Sequence, residues 1–135
     1  MKRNVPDGIL RIEENPIGAR NKGILPMVQT REQAIKIAAK ARESLEQIYG
    51  KRLHGIYLYG SAAKGQLRPD SDIDIAIVLD EIPDRFAEYE RTSKLGSQLS
   101  LDDDTLVSFL FLTESELATG RFIIHQAIKK EGIRA

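Results

Sequence analysis

Apolar residues settle first into a helical rhythm: Ala34, Ile37, Ala38, Ala41, Leu45 and Ile48 recur three and four positions apart and form one stripe. Thr30 stands where such a helix is capped, Gln33 completes a capping box, and Gly50 stops the helix. The period then shortens. Leu53–Tyr59 reads as a core strand with Tyr57 and Tyr59 on one face, where packing is their expected role. Ser71–Leu79 is apolar after its two aspartates, as befits a strand covered on both faces. Asp80–Pro83 turns the chain, and Asp84 caps a helix to about Leu99. That helix is expected to bury Phe86, Tyr89, Leu95 and Leu99, with Gly96 as a weak point. Thr105–Leu112 is a third strand by its β-branched and aromatic content. Thr113, with Glu116 in capping-box position, opens a short helix, and an amphipathic helix runs from about Arg121 to Lys130, ending at Gly132. The order α-β-(turn)-β-α-β-α predicts an α/β (α+β) fold, a small mixed β-sheet packed against helices.

Residues 1–29 follow neither rhythm. Pro6, Pro16 and Pro26 and irregular glycines predict an extended N-terminal arm, with a short strand near Gly8–Ile12. Such an arm would wrap the domain of residues 30–135 or mediate self-association into a homo-oligomer. A length of 135 residues suits one domain. No apolar run reaches the length of a membrane span or a secretory signal, so a cytoplasmic location is the expectation. With no cysteine there is no disulfide framework and no thiolate metal site. Net charge is zero, which gives no general attraction to nucleic acid. The charges are nevertheless segregated, acidic between Arg68 and Asp104 and basic towards both ends, a distribution that suits a cation site better than a polyanion groove.

The candidate chemistry lies in Leu58–Leu79. Strand residues two apart point the same way, so Asp72 and Asp74 project from one face while Ile73 and Ile75 take the other. Two adjacent carboxylates repel unless a cation sits between them. Hard divalent ions such as Mg²⁺ or Mn²⁺ are held through one or two carboxylates together with substrate phosphates. Gly60-Ser61 ahead of them can receive those phosphates, since glycine allows close backbone approach and a following helical turn offers unpaired N–H groups. His54 and His125 have no second metal ligand at a suitable spacing and are expected to be structural.

Gly60-Ser61, ten intervening residues and Asp72-x-Asp74, with Gly65 inside the gap and Ser71 before the first aspartate, resembles the signature of the nucleotidyltransferase superfamily that includes DNA polymerase beta. It is most similar to the minimal nucleotidyltransferase branch, small proteins often paired with a helical partner of the HEPN type. The resemblance implies a nucleotidyltransferase fold and a reaction in which a hydroxyl attacks the α-phosphorus of a nucleoside triphosphate such as ATP and pyrophosphate leaves. Asp72 and Asp74 would bridge two divalent ions, Mg²⁺ or Mn²⁺, that clamp the attacking and departing oxygens. Gly60, Ser61, Gly65 and Ser71 would hold the nucleotide, and Lys64 and Arg68, otherwise exposed surface cations, would neutralise the triphosphate.

One departure bears on activity. The superfamily carries a third carboxylate on a neighbouring strand, where it holds the catalytic ion and accepts the nucleophile's proton. Aligning Thr105–Thr113 to that strand puts Ser108 at this place, with Asp104 four residues earlier on the same face, about 13 Å away at strand rise. Asp104 is the candidate third acid if the register is shifted; otherwise no residue supplies it. Two functions follow from the resemblance: an enzyme transferring a nucleoside monophosphate to a hydroxyl, with a HEPN toxin as acceptor, or a nucleotide-binding antitoxin that acts by protein contact with a weakened metal site.

Overall fold

The computed structural model describes residues 30–68 and 70–135; the expected arm and its short strand lie outside the described residues. The elements run α1 (Arg31–Tyr49), a 3-10 turn (Gly50–Arg52), β1 (Leu53–Tyr59), β2 (Ile73–Leu79), α2 (Arg85–Asp102), β3 (Val107–Thr113), α3 (Glu114–Thr119), α4 (Ile123–Glu131) and β4 (Ile133–Arg134). The sheet order is β3-β2-β1-β4, with β2 and β3 parallel across the α2 crossover and the other neighbours antiparallel. The sheet is therefore mixed, as its sequence pattern predicts.

Local chemistry sets the boundaries. Thr30 and Gln33 form the reciprocal capping box of α1, and Thr113 with Glu116 repeats it at α3. The Asp84 side chain accepts from the N–H groups of Phe86 and Ala87 at the start of α2. Alternation along β2 then divides the core in two. Ile73, Ile75, Ile77 and Leu79 pack with α1, Leu99 of α2 and Phe111, whereas Ala76 and Val78 pack with Leu112 and Ile128 of α4. Each fully buried aliphatic side chain contributes about 1.5–3 kcal/mol to this arrangement. Tyr57 and Tyr59 pack against the second cluster, as expected of them.

Four expectations need correction. Ile48 is exposed and Tyr49 takes the inward place on α1, because the Tyr49 hydroxyl donates to buried Glu88 Oε1 at 2.7 Å. On α2, Phe86 is exposed and Tyr89 only partly covered, its ring edge-on to buried Phe111, while Glu88, Thr92 and Leu99 are buried. Gly96 does not weaken the helix; it brings α2 close to the Phe109 ring, whose edge lies 3.5 Å from where a Cβ would stand. Strand β4 has no sequence signal, being two residues that pair with Tyr57 and Leu58. No helix among the described residues is long and apolar enough to cross a membrane.

Candidate active site

Asp74 lies on β2 opposite Tyr59 of β1 and opposite Ser108 of β3, so these three side chains share the sheet face that carries Ala76 and Val78. Asp72 lies just before the strand, exposed, and near enough for its charge to act on Asp74. Burial first, then the Asp72 charge, raises the Asp74 carboxyl above the usual carboxylate range. Burial likewise pushes the Tyr59 phenol up to about 12, with the Asp74 charge adding to it.

The turn after β1 closes over this pair. Gly60 has φ +73° and sits directly on Asp74: a Cβ there would come within 2.6 Å of Oδ2. Only glycine permits that approach in that conformation. The following residues wind into helical turns in which the Lys64 N–H donates to Gly60 C=O at 3.2 Å and the Gln66 N–H to Ser61 C=O at 2.8 Å. Ala62 and Ala63 are buried and seat the turn on the core. The N–H groups of Ser61, Ala62 and Ala63 make no hydrogen bond to a described residue, leaving a row of backbone donors beside the carboxylates. Gly65, at φ +71°, reverses the chain in open space.

Lys64 is exposed and lies 3.9 Å from Glu131 on α4. Arg68 is exposed, and its N–H donates to Ser71 Oγ at 2.9 Å while its C=O accepts from the Ser71 N–H at 3.0 Å. Ser71 thus holds the loop that leads into Asp72. Two contributors escaped the sequence reading. Arg31 of α1 donates to the Ala63 carbonyl at 2.6 Å and braces the turn, and Glu131 pairs with Lys64. Both act across long stretches of sequence, so no local pattern announces them.

Asp104 is not brought to the pair. The β2–β3 register sets Ser108 against Asp74, and Asp104 falls in a left-handed turn (φ 49°) before β3 begins. No group of three or more His, Asp or Glu side chains among the described residues is arranged to hold a metal. The expectation of Asp104 as a third acid fails in this geometry because neither register shift nor bulge interrupts the β2–β3 ladder. Two carboxylates beside backbone donors that bond to no described residue still suit a hard divalent ion whose remaining ligands are substrate phosphates and water. A cation would also relieve the charge that Asp72 and Asp74 impose on each other. His54 Nδ1 lies 3.2 Å from Glu114, and His125 is buried with its Nδ1 accepting the Phe122 N–H at 3.4 Å.

Comparison with known proteins places the family and the fold. A family model described as polymerase beta, nucleotidyltransferase, matches residues 32–132. A protein of Methanocaldococcus jannaschii, assigned provisionally as a protein adenylyltransferase, is 30% identical over 76 residues, covering 56% of this chain and 76% of that protein. The protein adenylyltransferase MntA of Shewanella oneidensis is 42% identical over 53 residues, 39% of this chain and 38% of that protein. Among solved structures, a mutant MntA-HpeT toxin–antitoxin is similar at 27% identity and TM-score 0.51, over 72% of this chain and 70% of that one. A nucleotidyltransferase of Sulfolobus solfataricus, also provisionally assigned, shares the fold at 23% identity and TM-score 0.50, over 76% of this chain and 82% of that one.

Proposed function

Because the chain belongs to the polymerase beta nucleotidyltransferase family, we propose that it is a protein adenylyltransferase, moving AMP from ATP to a hydroxyl on a partner protein. The observation that carries this reading is the contact between Gly60 and Asp74, which joins a row of backbone donors without a partner among the described residues to a carboxylate pair within one site. Protein adenylyltransferase names among its relatives support the acceptor class. Similarity to a solved MntA-HpeT toxin–antitoxin supports a HEPN-type toxin as that acceptor, with this chain as antitoxin.

On this reading the N–H groups of Ser61, Ala62 and Ala63 and the Ser61 hydroxyl bind the outer phosphates of ATP. Lys64 and Arg68 neutralise them. Asp72 and Asp74 would hold Mg²⁺ or Mn²⁺, whose chemistry is to absorb the charge that builds on the attacking and leaving oxygens. The acceptor oxygen attacks the α-phosphorus, the bond to the β-phosphate oxygen breaks, pyrophosphate leaves with that electron pair, and the hydroxyl proton passes to solvent. Arg31 keeps the turn in place through the Ala63 carbonyl.

A second reading has its own observation. With Ser108 opposite Asp74 and no third acid gathered among the described residues, the chain would bind nucleotide and silence its partner by contact. Incubation with Mg²⁺ or Mn²⁺, α-labelled ATP and a HEPN-type protein separates the two. The enzyme labels its partner and loses this in Asp72→Ala/Asp74→Ala; the binding module holds its partner equally well in both forms and labels nothing.

A further inference from the structure

β3 is an outer strand, paired with β2 along one side only. The bond from Ile73 N–H to Leu106 C=O (2.8 Å) fixes the parity of the parallel ladder. Even-numbered residues of β3 exchange hydrogen bonds with β2, and Val107, Phe109, Phe111 and Thr113 turn their groups outward. The two ends of that outward row are occupied. Ser100 Oγ accepts the Val107 N–H at 3.0 Å, the Phe111 carbonyl accepts from Arg85 Nε at 3.4 Å, and the Thr113 N–H donates to Glu116 at 2.9 Å. Between them, the Val107 carbonyl, both backbone groups of Phe109 and the Phe111 N–H bond to no described residue. Exposed edges of this kind are templates for pairing, which proteins ordinarily cover.

Beside the open stretch, α2 and β3 enclose a groove of about 690 Å³, lined by Ser93, Gly96, Ser97, Leu101, Leu106 and Phe109. Leu101 and Leu106 are 78% and 59% exposed. Lys40 pairs with Asp103 at 3.2 Å and Asp102 at 4.0 Å, while Asp104, between the two leucines in sequence, has no ion pair among the described residues. The groove is therefore apolar along its length and acidic near the start of β3.

We propose that this edge receives an extended segment of the acceptor protein as a further strand, with the hydroxyl to be modified on the residue opposite Ser108. The proposal rests on the transferase reading above and names how its acceptor is held. Paired residues on neighbouring strands share a face, so a residue opposite Ser108 lies on the face of Asp74, two strand spacings or about 9.6 Å away between backbones. The side chains of an aspartate and a tyrosine close that gap between them. The residues before and after the hydroxyl point to the α2 side, into the groove, so the fitting sequence is apolar–hydroxyl–apolar. A lysine or arginine towards the start of β3 answers Asp104. Main-chain bonds supply affinity and alternate pockets supply selectivity, as in other strand additions.

The test is amide exchange by NMR on the full ¹⁵N-labelled chain, with the synthetic peptide Lys-Thr-Val-Tyr-Val-Thr as probe. Saturating peptide slows exchange of the Phe109 and Phe111 amides by about tenfold. Ser97→Trp, which fills the groove from an exposed position, weakens the peptide by about tenfold, and Phe109→Pro, which removes an outward N–H and no bond to β2, abolishes the protection of the remaining Phe111 amide. Unchanged exchange at both amides overturns the proposal. Protection without peptide that grows with protein concentration overturns it too, since a second copy then holds the edge. This readout needs no transfer: protection of both amides without label from α-labelled ATP on the tyrosine upholds the dock and counts against the transferase.

Discussion

Gly60 and Asp74 touch so closely that a methyl group on the glycine would stand 2.6 Å from the carboxylate oxygen Oδ2. The contact joins the turn after β1 to the Asp72–Asp74 pair, and it requires a left-handed glycine at φ +73°. Gly60→Ala therefore carries a conformational penalty of about 1–2 kcal/mol and also pushes the Asp74 side chain aside. We expect the melting temperature to fall by several degrees and transfer activity by about 100-fold, the usual effect of a reacting group displaced by an ångström. Gly65→Ala is the control. It shares the positive φ but meets nothing within 4 Å, so it carries the conformational penalty alone and keeps far more of the activity.

Much of this was legible beforehand, and for a physical reason. Capping boxes and strand alternation are local, and the structure realises both boxes and all three expected strands, though β2 begins at Ile73 and so leaves Asp72 just outside the strand on which it was expected, and β3 runs from Val107 to Thr113. What escaped was set by partners distant in sequence. Glu88 turns inward, and Phe86 outward, because Tyr49 and Arg52 wait on other elements to satisfy a buried carboxylate. Arg31 reaches the Ala63 carbonyl across the fold in the same way. At the site, alignment put Ser108 at the place of the superfamily's third carboxylate, and the ladder sets Ser108 against Asp74; the alternative role for Asp104 needed an irregularity that β2 and β3 do not have.

The raised carboxyl of Asp74 makes a prediction about pH. Its proton is held more tightly in the folded state, first through burial and then through the Asp72 charge. The native chain therefore binds more protons than the unfolded one between the ordinary value of 3.8 and the raised one, and stability falls as pH rises through that window. Asp74→Asn removes the cost. Without metal at pH 7 the variant melts a few degrees above the parent, and the two converge near pH 3. Added Mg²⁺ or Mn²⁺ at a hundred times its dissociation constant stabilises the parent by about 2.7 kcal/mol and the variant far less. A parent that melts at or above the variant at neutral pH without metal contradicts this account.

Glu88 behaves in the opposite sense. It is buried, which alone would raise its carboxyl, but the Tyr49 hydroxyl at 2.7 Å and Arg52 at 3.3 Å outweigh burial and lower it, with Arg91 at 3.2 Å adding to them. Its contribution is complete above the ordinary value of 4.5 and disappears as pH falls through the lowered native value. Glu88→Ala leaves the buried Tyr49 hydroxyl without its acceptor at the sheet end opposite the site and takes one of three from Arg52, which keeps Asp80 and the Glu81 carbonyl. We expect a loss of about 2–3 kcal/mol, less than for a fully buried pair because Arg52 is partly exposed. The loss should be measurable by urea unfolding at pH 7 and should shrink as pH falls below 4.5, with ATP binding unchanged in the folded fraction.

Ser108 is the position at which the enzyme and the binding module part. It is exposed, it shares a face with Asp74, and about 4.8 Å separates the two strands. A carboxylate there would stand beside Asp74 as a third acidic ligand and a proton acceptor. Ser108→Asp should destabilise the metal-free chain by about 0.2–1 kcal/mol through like-charge repulsion across the strands. Its affinity for Mn²⁺, measured by calorimetry, should rise about tenfold, since ligand charge tunes such sites. If the parent is an enzyme limited by its missing base, transfer should quicken by about a hundredfold. Ser108→Asn keeps the size without the charge and should do neither. Tighter Mn²⁺ binding in Ser108→Asp without any labelled partner would favour the contact-only antitoxin, whereas equal Mn²⁺ binding by the Asp and Asn variants would mean that position 108 does not face the metal site.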